Sequence, residues 1–313
     1  MNGLRMKVSI IGARTKRSGI GEYVGKYFHK NGAIVTSVLG TVEETAREAT
    51  FALRKYGIES TAYADFHEMV QRENPDVIVI ASPSSTHYEY VVKGIDCGCD
   101  IFCEKPFIWG KTTNIREVVE NIFEKAHQKN VTIAMNSQWP FSIPYYENVC
   151  GKIDRNETTR FSINMSPVSF EKEMIPESVP HAFSMLYFVF GGGEILNLDF
   201  EEPGKESMVI RFRYASEANE CEATIRLLRK EKQPRDFSFG FNDRIVSRVL
   251  NTENYDIYFT YEDQKIRIID PLDLSVQDFM RAVREKREPL IGYSHIVNNT
   301  SLVKELYDAY PTM

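Results

Sequence analysis

Residues 6 to 135 alternate between two hydrophobic periods. Short apolar runs rich in valine and isoleucine predict strands, and longer segments with apolar residues every three to four positions predict helices. Val77–Ala81 is apolar at every position, which is typical of a strand with helices on both faces. This strand–helix alternation predicts a doubly wound parallel sheet. The predicted strands are Met6–Ile11, Ala33–Leu39, Val77–Ala81, Ile101–Cys103 and Val131–Met135, and the helices are Gly21–Lys30, Val42–Tyr56, Phe66–Arg72, Glu89–Cys97 and Ile115–Gln128.

The second half of the chain has a different pattern, in which apolar and polar residues alternate singly. Turn-like stretches such as "EEPGKES" separate the segments, which is typical of an antiparallel sheet. A helix over Ala182–Phe190 interrupts the pattern, and helices over Val276–Arg287 and Thr300–Tyr310 close it. We therefore expect two consecutive domains, residues 1–137 of α/β class and residues 138–313 of α+β class with a mostly antiparallel open sheet.

Composition narrows the class of protein. The 313 residues are 42% hydrophobic and 26% charged, as in an ordinary globular chain, and the formal net charge is −6. A sequence pI near 5.7 disfavours a nucleic-acid partner. No apolar run approaches the ~18 residues of a membrane helix, so no membrane partner is expected.

The five cysteines are interpreted as buried, reduced thiols. Three of them lie in "CGCDIFC", where the spacing does not match a metal site, so no metal is expected. The count is odd, and the N-terminal "MNGLRMKVSIIG" lacks the features of a secretion signal. These observations predict a cytoplasmic protein.

The first candidate site is the turn "SIIGARTKRSGIGEY", which follows the first predicted strand. A helix that begins after a glycine turn presents backbone N–H groups and its positive dipole end to a phosphate. Gly12 would form the tight turn, and Gly21 would let the helix pack closely on the strand. The compact G-x-G-x-x-G spacing is absent, because four extra residues stand between these glycines. The turn alone does not decide between a dinucleotide site and an ordinary glycine-rich loop.

The end of the second strand bears on which dinucleotide would bind. NAD enzymes usually carry an acidic residue there for the ribose hydroxyls, whereas this chain has Gly40 and Thr41. Arg14, Lys16 and Arg17 in the glycine turn are candidates to bind a 2′-phosphate, since guanidinium groups match phosphate geometry. The alternative is that these three basic residues point into solvent. The pattern favours NADP over NAD.

Two further strand ends carry candidate chemistry. "ASPSSTHYEY" follows the third strand and offers Ser82, Pro83 and His87 to a ligand in the crevice at the carboxyl ends of the strands. His87 would either line that crevice or merely cap its helix. "CEKPF" follows the next strand, and a lysine there, Lys105, would bond a substrate hydroxyl and stabilise a developing alkoxide. The alternative for Lys105 is a surface lysine before a proline turn.

Taken together, these motifs resemble the Gfo/Idh/MocA family of glucose–fructose oxidoreductases, inositol dehydrogenases and rhizopine-catabolism proteins. The segments that carry the resemblance are the glycine turn, "NPDVIVIASPSSTHYEYVVKGIDCGCDIFCEKPF", "TIAMNSQWPF" and "DPLDLSVQDFMRAVREKREPLIG". The most recognisable mark is "EKP" after a strand. The resemblance implies a Rossmann domain over residues 1–137 and a substrate-binding and oligomerisation domain over residues 138–313.

The resemblance also implies an activity and its residues. The activity is NAD(P)-linked hydride transfer to or from a sugar, a sugar derivative or a similar small molecule, in a homodimer or homotetramer formed through the second sheet. His181 in "PESVPHAFSMLYFVFGGG" matches the family's acid/base histidine, and Glu177 stands where the family usually has aspartate. A structural, helix-capping His181 is the alternative. The predicted cofactor contacts are Gly12, Ala13, Arg14, Arg17, Gly19, Ile20, Gly21, Gly40, Thr41, Ser82, Pro83, His87, Glu104 and Lys105.

Candidate substrate contacts complete the set. "NSQWPF" supplies Asn136, Gln138 and Trp139 beside Lys105 and His181, and Trp139 is interpreted more readily as an inter-domain packing residue. Family members often carry arginine near Gln138, and its absence disfavours an anionic substrate held at that point. A dinucleotide-binding sensor without turnover is the alternative function, since the same fold serves regulators as well as enzymes.

Overall fold

The computed structural model describes residues 5–13, 19–110, 114–201, 204–217, 219–252 and 255–311. The chain forms two compact units. The first unit comprises Met1–Asn136 and Leu272–Tyr293, and the second comprises Ser137–Pro271 and Ser294–Met313.

Within its described residues, the first unit contains a parallel sheet in the order β3-β2-β1-β4-β5-β6. The order reverses between β1 and β4, which is the switch point where α/β sheets open a crevice for ligands. The strands are β1 (Lys7–Ile11), β2 (Ile34–Leu39), β3 (Thr61–Tyr63), β4 (Val77–Ile80), β5 (Asp100–Glu104) and β6 (Ile133–Asn136). The helices are α1 (Ile20–Lys30), α2 (Glu43–Leu53), α3 (Phe66–Glu73), α4 (His87–Asp96) and α5 (Ile115–Lys129). The predicted doubly wound sheet is confirmed.

The second unit, over its described residues, contains a sheet in the order β14-β13-β12-β11-β7-β10-β9-β8. Only the β7–β10 pair is parallel among the strand pairs of this sheet, so the predicted mostly antiparallel sheet is confirmed. The strands are β7 (Arg160–Met165), β8 (Gly193–Glu201), β9 (Ser207–Ser216), β10 (Glu220–Leu228), β11 (Phe237–Phe241), β12 (Arg244–Leu250), β13 (Ile257–Tyr261) and β14 (Gln264–Ile268). The remaining helices of the chain are α6 (Ile143–Cys150), α7 (Met174–Phe190), α8 (Pro271–Glu285) and α9 (Tyr293–Asp308).

Helix α8 changes the expected division into residues 1–137 and 138–313. Its apolar face joins the core of the first unit, where the Phe279 ring lies 5.3 Å from Phe102 and 6.1 Å from Phe28, centroid to centroid. A salt bridge of 2.6 Å from Lys30 to Asp273 adds a second attachment in the same unit. The expected split is therefore wrong for residues 272–293, because the apolar face of α8 is buried in the core of the first unit although these residues lie late in the sequence.

Two elements differ from the sequence pattern for local reasons. Helix α7 begins at Met174 and not at Ala182, although Pro180 lies inside it and lacks the N–H of a normal helical residue. Most of α7 is buried, so packing maintains the helix across this position. The β11–β12 hairpin was not predicted, and its turn, Asn242-Asp243, has φ of 47° and 68° at the two positions, as in a two-residue type I′ turn.

Candidate functional site

The turn after β1 brings backbone into close contact at the switch point. Gly12 has φ +87°, and a β carbon at this position would lie 2.6 Å from both Cα and N of Ser82, beyond the end of β4. A β carbon on Gly21 would lie 3.0 Å from Cβ of Ala81. Both glycines are therefore required by close packing, as the sequence predicted. Arg14, Lys16 and Arg17 lie outside the described residues.

The helix that follows this turn starts at the position expected for a phosphate site. Gly19 occupies the N-cap position of α1, and no side chain there caps the first N–H groups of the helix. Ile20 is the first helical residue. Ala13 is buried before the turn. The N–H groups of this first turn suit a pyrophosphate, and glycine at position 12 lets backbone approach a ligand. The described residues fit a dinucleotide.

The end of β2 carries no acidic side chain at Gly40 or Thr41. A β carbon on Gly40 would lie 2.6 Å from Oγ1 of Thr45 and 2.7 Å from the amide nitrogen of Ala46, so glycine lets the chain turn directly into α2. Thr41 is exposed. Its hydroxyl is therefore available to a ligand, in keeping with the sequence prediction for a ribose or its phosphate.

His87 is buried, with 1% of its surface exposed. Its Nε2 lies 2.9 Å from the carbonyl oxygen of Ser82, and its Nδ1 lies 2.9 Å from that of Pro106. Burial lowers the pKa of His87, and the nearby Lys105 charge acts in the same direction, against the carbonyl oxygens. The ring thus bridges the end of β4 to the loop that carries Lys105. This geometry favours a supporting role for His87 over direct contact with a cofactor.

Ser82 and Pro83 lie at the end of β4, close to this bridge. The Ser82 and Thr86 hydroxyl oxygens are 2.7 Å apart, which orders the turn into α4. Ser82 is half-buried and Pro83 is exposed. Both residues remain candidate cofactor contacts.

The end of β5 places Glu104 beside Asn136 on the neighbouring strand β6. Asn136 donates a hydrogen bond from Nδ2 to Oε1 of Glu104. The Asn136 side chain is 1% exposed, and its Oδ1 is buried without a hydrogen-bond partner among the described residues. Asn136 therefore supports Glu104 from within the fold, and its predicted substrate contact is not favoured by this burial. Lys105, the next residue after Glu104, is half-buried.

Burial raises the pKa of Glu104 to about 7 from its ordinary 4.5. The Lys105 charge and the Asn136 hydrogen bond lower this pKa, but their effect is smaller than that of burial. The folded protein then holds a proton on Glu104 that the unfolded chain releases between pH 4.5 and 7, so stability falls as pH rises through that window. At ~1.36 kcal/mol per pKa unit, the free energy of unfolding falls by about 3 kcal/mol across this window.

We predict that Glu104→Gln removes this pH dependence. Between pH 5 and pH 8, the free energy of unfolding of wild type should fall by about 3 kcal/mol more than that of the variant. Urea denaturation at the two pH values measures both. Glu89→Gln is the matched control, because Glu89 is an exposed residue in the same unit that pairs with Lys93. Equal pH dependence in wild type and Glu104→Gln would contradict the assignment.

In the second unit, His181 lies in the middle of α7 and is half-buried. Its Nδ1 is 3.0 Å from Oγ of Ser137, which is itself buried. Ser137 also donates to the carbonyl oxygen of Pro180 at 3.4 Å, and Asn299 donates to the same oxygen at 2.7 Å. Ser137 was not among the predicted site residues, although it directly follows Asn136 in "NSQWPF". These bonds orient the imidazole.

Glu177 lies one helical turn before His181 and binds backbone. Its carboxylate accepts hydrogen bonds from the amide of Ser169 at 2.8 Å and from that of Val168 at 3.0 and 3.1 Å. Arg235 Nη1 lies 3.7 Å from Oε1. Arg235 was not among the predicted residues, and no local motif marks it.

Gln138 and Trp139 lie in the short turn that precedes α6. The Trp139 indole stacks on Phe237 at a centroid distance of 3.6 Å and is 5% exposed. Arg248 lies over the same indole at 5.5 Å. Trp139 is thus a packing residue of the second unit, and Gln138, which is half-buried, remains the candidate substrate contact.

The cysteines are free thiols, of which Cys99, Cys103, Cys150 and Cys221 are buried and Cys97 is exposed. The prediction that all five are buried is therefore wrong for Cys97, which ends its helix on the surface. Burial raises the pKa of Cys99 to about 12. Among the described residues there is no group of three or more potential metal ligands, and none of the helices is long and apolar enough to cross a membrane.

Comparison with known proteins bears on the family and the fold. Residues 6–137 match the model of the GFO_IDH_MocA family, described as an oxidoreductase family with an NAD-binding Rossmann fold. The inositol 2-dehydrogenase/D-chiro-inositol 3-dehydrogenase of Lactiplantibacillus plantarum is 32% identical over 94 residues, or 28% of this chain and 26% of that protein. The inositol 2-dehydrogenase of Azotobacter vinelandii is 37% identical over 79 residues, or 25% of this chain and 22% of that protein. The matches thus span about a quarter of the length of these relatives.

A solved structure is similar over nearly the whole chain. The UDP-N-acetylglucosamine 3-dehydrogenase of Acidithiobacillus ferrooxidans aligns with a TM-score of 0.72 at 15% identity, covering 98% of each chain. At this identity the likeness concerns the fold alone. Residues 6–137 thus match the model of the GFO_IDH_MocA oxidoreductase family, and their parallel sheet agrees with the NAD-binding Rossmann fold in its description.

Proposed function

We propose that this protein is an NAD(P)-dependent dehydrogenase or reductase acting on a sugar, a sugar derivative or a similar small molecule. The observation that supports this proposal most directly is that the glycine turn of Gly12 and the Lys105 loop lie at the same carboxyl edge of the parallel sheet. The names of the relatives, which act on inositols and an N-acetylated nucleotide sugar, support this substrate class.

Each proposed catalytic residue has a specific task. A bound nicotinamide supplies the hydride exchange with the substrate carbon. The Lys105 ammonium donates a hydrogen bond to the reacting oxygen and stabilises its developing negative charge. His181 takes up or returns the hydroxyl proton at Nε2, because Nδ1 is held by Ser137 Oγ at 3.0 Å.

The cofactor preference belongs to the same proposal. We favour NADP over NAD, since an acidic residue at Gly40 or Thr41 would repel a 2′-phosphate and none is present there. Arg14 and Arg17 are the proposed phosphate ligands. Their side chains would make binding of the phosphorylated cofactor salt-dependent.

Assembly and location complete the proposal. Exposed side chains alternate with buried ones along β9 and β10, so one face of this sheet is accessible within the second unit. We propose a homodimer or homotetramer formed through this face, which light scattering tests directly. A cytoplasmic location is proposed from the free, mostly buried thiols.

One experiment tests activity and cofactor together. NADH and NADPH are titrated against the protein's fluorescence, and inositols, hexoses and UDP-N-acetylglucosamine are then assayed with NAD and NADP by absorbance of the reduced cofactor. We expect tighter binding of NADPH, weakened by Arg14→Ala and Arg17→Ala, and turnover of at least one compound. Binding without turnover of the panel would favour the sensor function, and absence of nucleotide binding would rule out both.

A further inference from the structure

The Glu177 carboxylate joins three segments of the second unit. It projects from α7 and accepts hydrogen bonds from Val168 and Ser169, in the connection between β7 and α7, at distances of 2.8 to 3.1 Å. Arg235, two residues before the start of β11, has Nη1 3.7 Å from Oε1. Hydrogen bonds from backbone N–H groups to an ionised carboxylate are among the stronger ones in proteins. One side chain therefore fastens the β7–α7 connection to the helix that carries His181.

Two residues that follow β10 also contact the connection. Arg229 donates from Nε to the carbonyl oxygen of Val168 at 3.0 Å, and its guanidinium lies 3.9 Å from the centre of the Phe170 ring. The amide of Lys230 donates to the carbonyl oxygen of Pro167 at 2.9 Å. These contacts attach the carbonyl groups of the connection to Arg229 and Lys230, so only its amides at Val168 and Ser169 depend on the Glu177 carboxylate.

The length of the side chain is decisive for this contact. Aspartate is shorter by one methylene, about 1.5 Å, which would place its oxygens outside hydrogen-bonding distance of both amides. Glutamine has the length of glutamate and retains one carbonyl acceptor, but its NH₂ cannot accept. Glu177→Asp therefore changes the length of the side chain and keeps its acidic group, whereas Glu177→Gln keeps the length and removes the acidic group.

We propose that Glu177 is a positioning residue that holds the β7–α7 connection against α7, and that it does not carry a proton in the reaction. This inference rests on the proposed oxidoreductase function. It assigns proton transfer to His181 alone. Loss of the contact loosens the connection from the helix that carries His181. We expect substrate binding to weaken as a result, because the loosened segment must be ordered again when substrate binds.

The proposal predicts an order among variants. If Glu177 is a positioning residue, kcat/KM is highest in wild type, lower in Glu177→Gln and lowest in Glu177→Asp. In both variants KM rises about tenfold or more, whereas kcat stays within about threefold of wild type. A proton-transfer role gives the opposite order for the variants, because aspartate retains an acid and glutamine does not. In that case Glu177→Gln would lower kcat by about 10²–10⁴-fold and remove one limb of the pH–rate profile.

The experiment has a structural arm and a kinetic arm on the full chain. Hydrogen–deuterium exchange of peptides covering residues 166–173 should show about tenfold faster exchange of the Val168 and Ser169 amides in Glu177→Gln, and at least as much in Glu177→Asp. The kinetic arm measures oxidation of myo-inositol and UDP-N-acetylglucosamine with NAD and NADP across pH. Glu173→Gln is the matched control, because Glu173 lies one turn earlier and accepts from Tyr307 Oη at 2.7 Å.

The two arms separate the inference from the function on which it rests. If wild type oxidises neither probe, the substrate choice fails and the exchange arm still decides whether Glu177 holds the connection. Unchanged exchange in both Glu177 variants would overturn the inference. So would activity retained in Glu177→Asp and lost in Glu177→Gln, even though the oxidoreductase function would then stand.

Discussion

Replacing Lys105 with methionine is expected to lower kcat by about 10²–10⁴-fold while leaving the Kd of NADPH within about threefold of wild type. Methionine fills a similar volume but has no hydrogen-bond donor, so the reacting oxygen loses its electrostatic partner. His181→Ala should have an effect of similar size, because the hydroxyl proton then has no acceptor at Nε2. Stopped-flow turnover and fluorescence titration measure the two quantities separately.

Two controls keep this test specific. Lys93→Met removes a half-buried lysine that pairs with the exposed Glu89, and His127→Ala removes an exposed histidine on α5, so both should leave kcat unchanged. If Lys105→Met and His181→Ala both turn over at the wild-type rate on a compound that wild type oxidises, the assignment of these residues is wrong. A loss of nucleotide binding in Lys105→Met would instead indicate a role in holding the cofactor.

Replacing Gly12 with alanine should abolish dinucleotide binding, raising the Kd of NADPH by at least about 100-fold. The added β carbon would lie 2.6 Å from two backbone atoms of Ser82 and 2.9 Å from the carbonyl carbon of Ala81. Ala81 and Ser82 directly follow β4, which pairs with β1, so their backbone cannot move away without disturbing the sheet, and the turn itself must shift. Fluorescence titration measures the binding, and urea denaturation measures the accompanying loss of stability.

Gly32 provides a closely matched control for this variant. Its φ is +90°, similar to the +87° of Gly12, but a β carbon on Gly32 would meet nothing within 4 Å. Gly32→Ala therefore incurs only the backbone strain, about 1–2 kcal/mol, and should bind the nucleotide normally. If both variants bind equally well, or equally poorly, close packing at the switch point is not what Gly12 provides.

Much of the first unit could be predicted from the sequence because its signals are local. A strand such as Val77–Ile80, apolar at every position, can be stable only under helices on both faces, and this alone indicates a parallel sheet. The glycines at 12 and 21 likewise follow from the need for close approach in a strand–turn–helix unit. The candidate Lys105 was recognisable because it directly follows such a strand.

Only the tertiary structure decided which distant residues meet. Helix α8 packs with Phe28 and Phe102, and its apolar face is buried in the core of the first unit. The environment of Glu104, which raises its pKa to about 7, depends on burial that no local pattern records. The contacts of Glu177 with Val168 and Ser169 and of His181 with Ser137 depend on where loops return in space. Local sequence thus determined the elements and the candidate residues, whereas long-range packing determined their partners, because a side chain's hydrogen bonds are set by its neighbours in space.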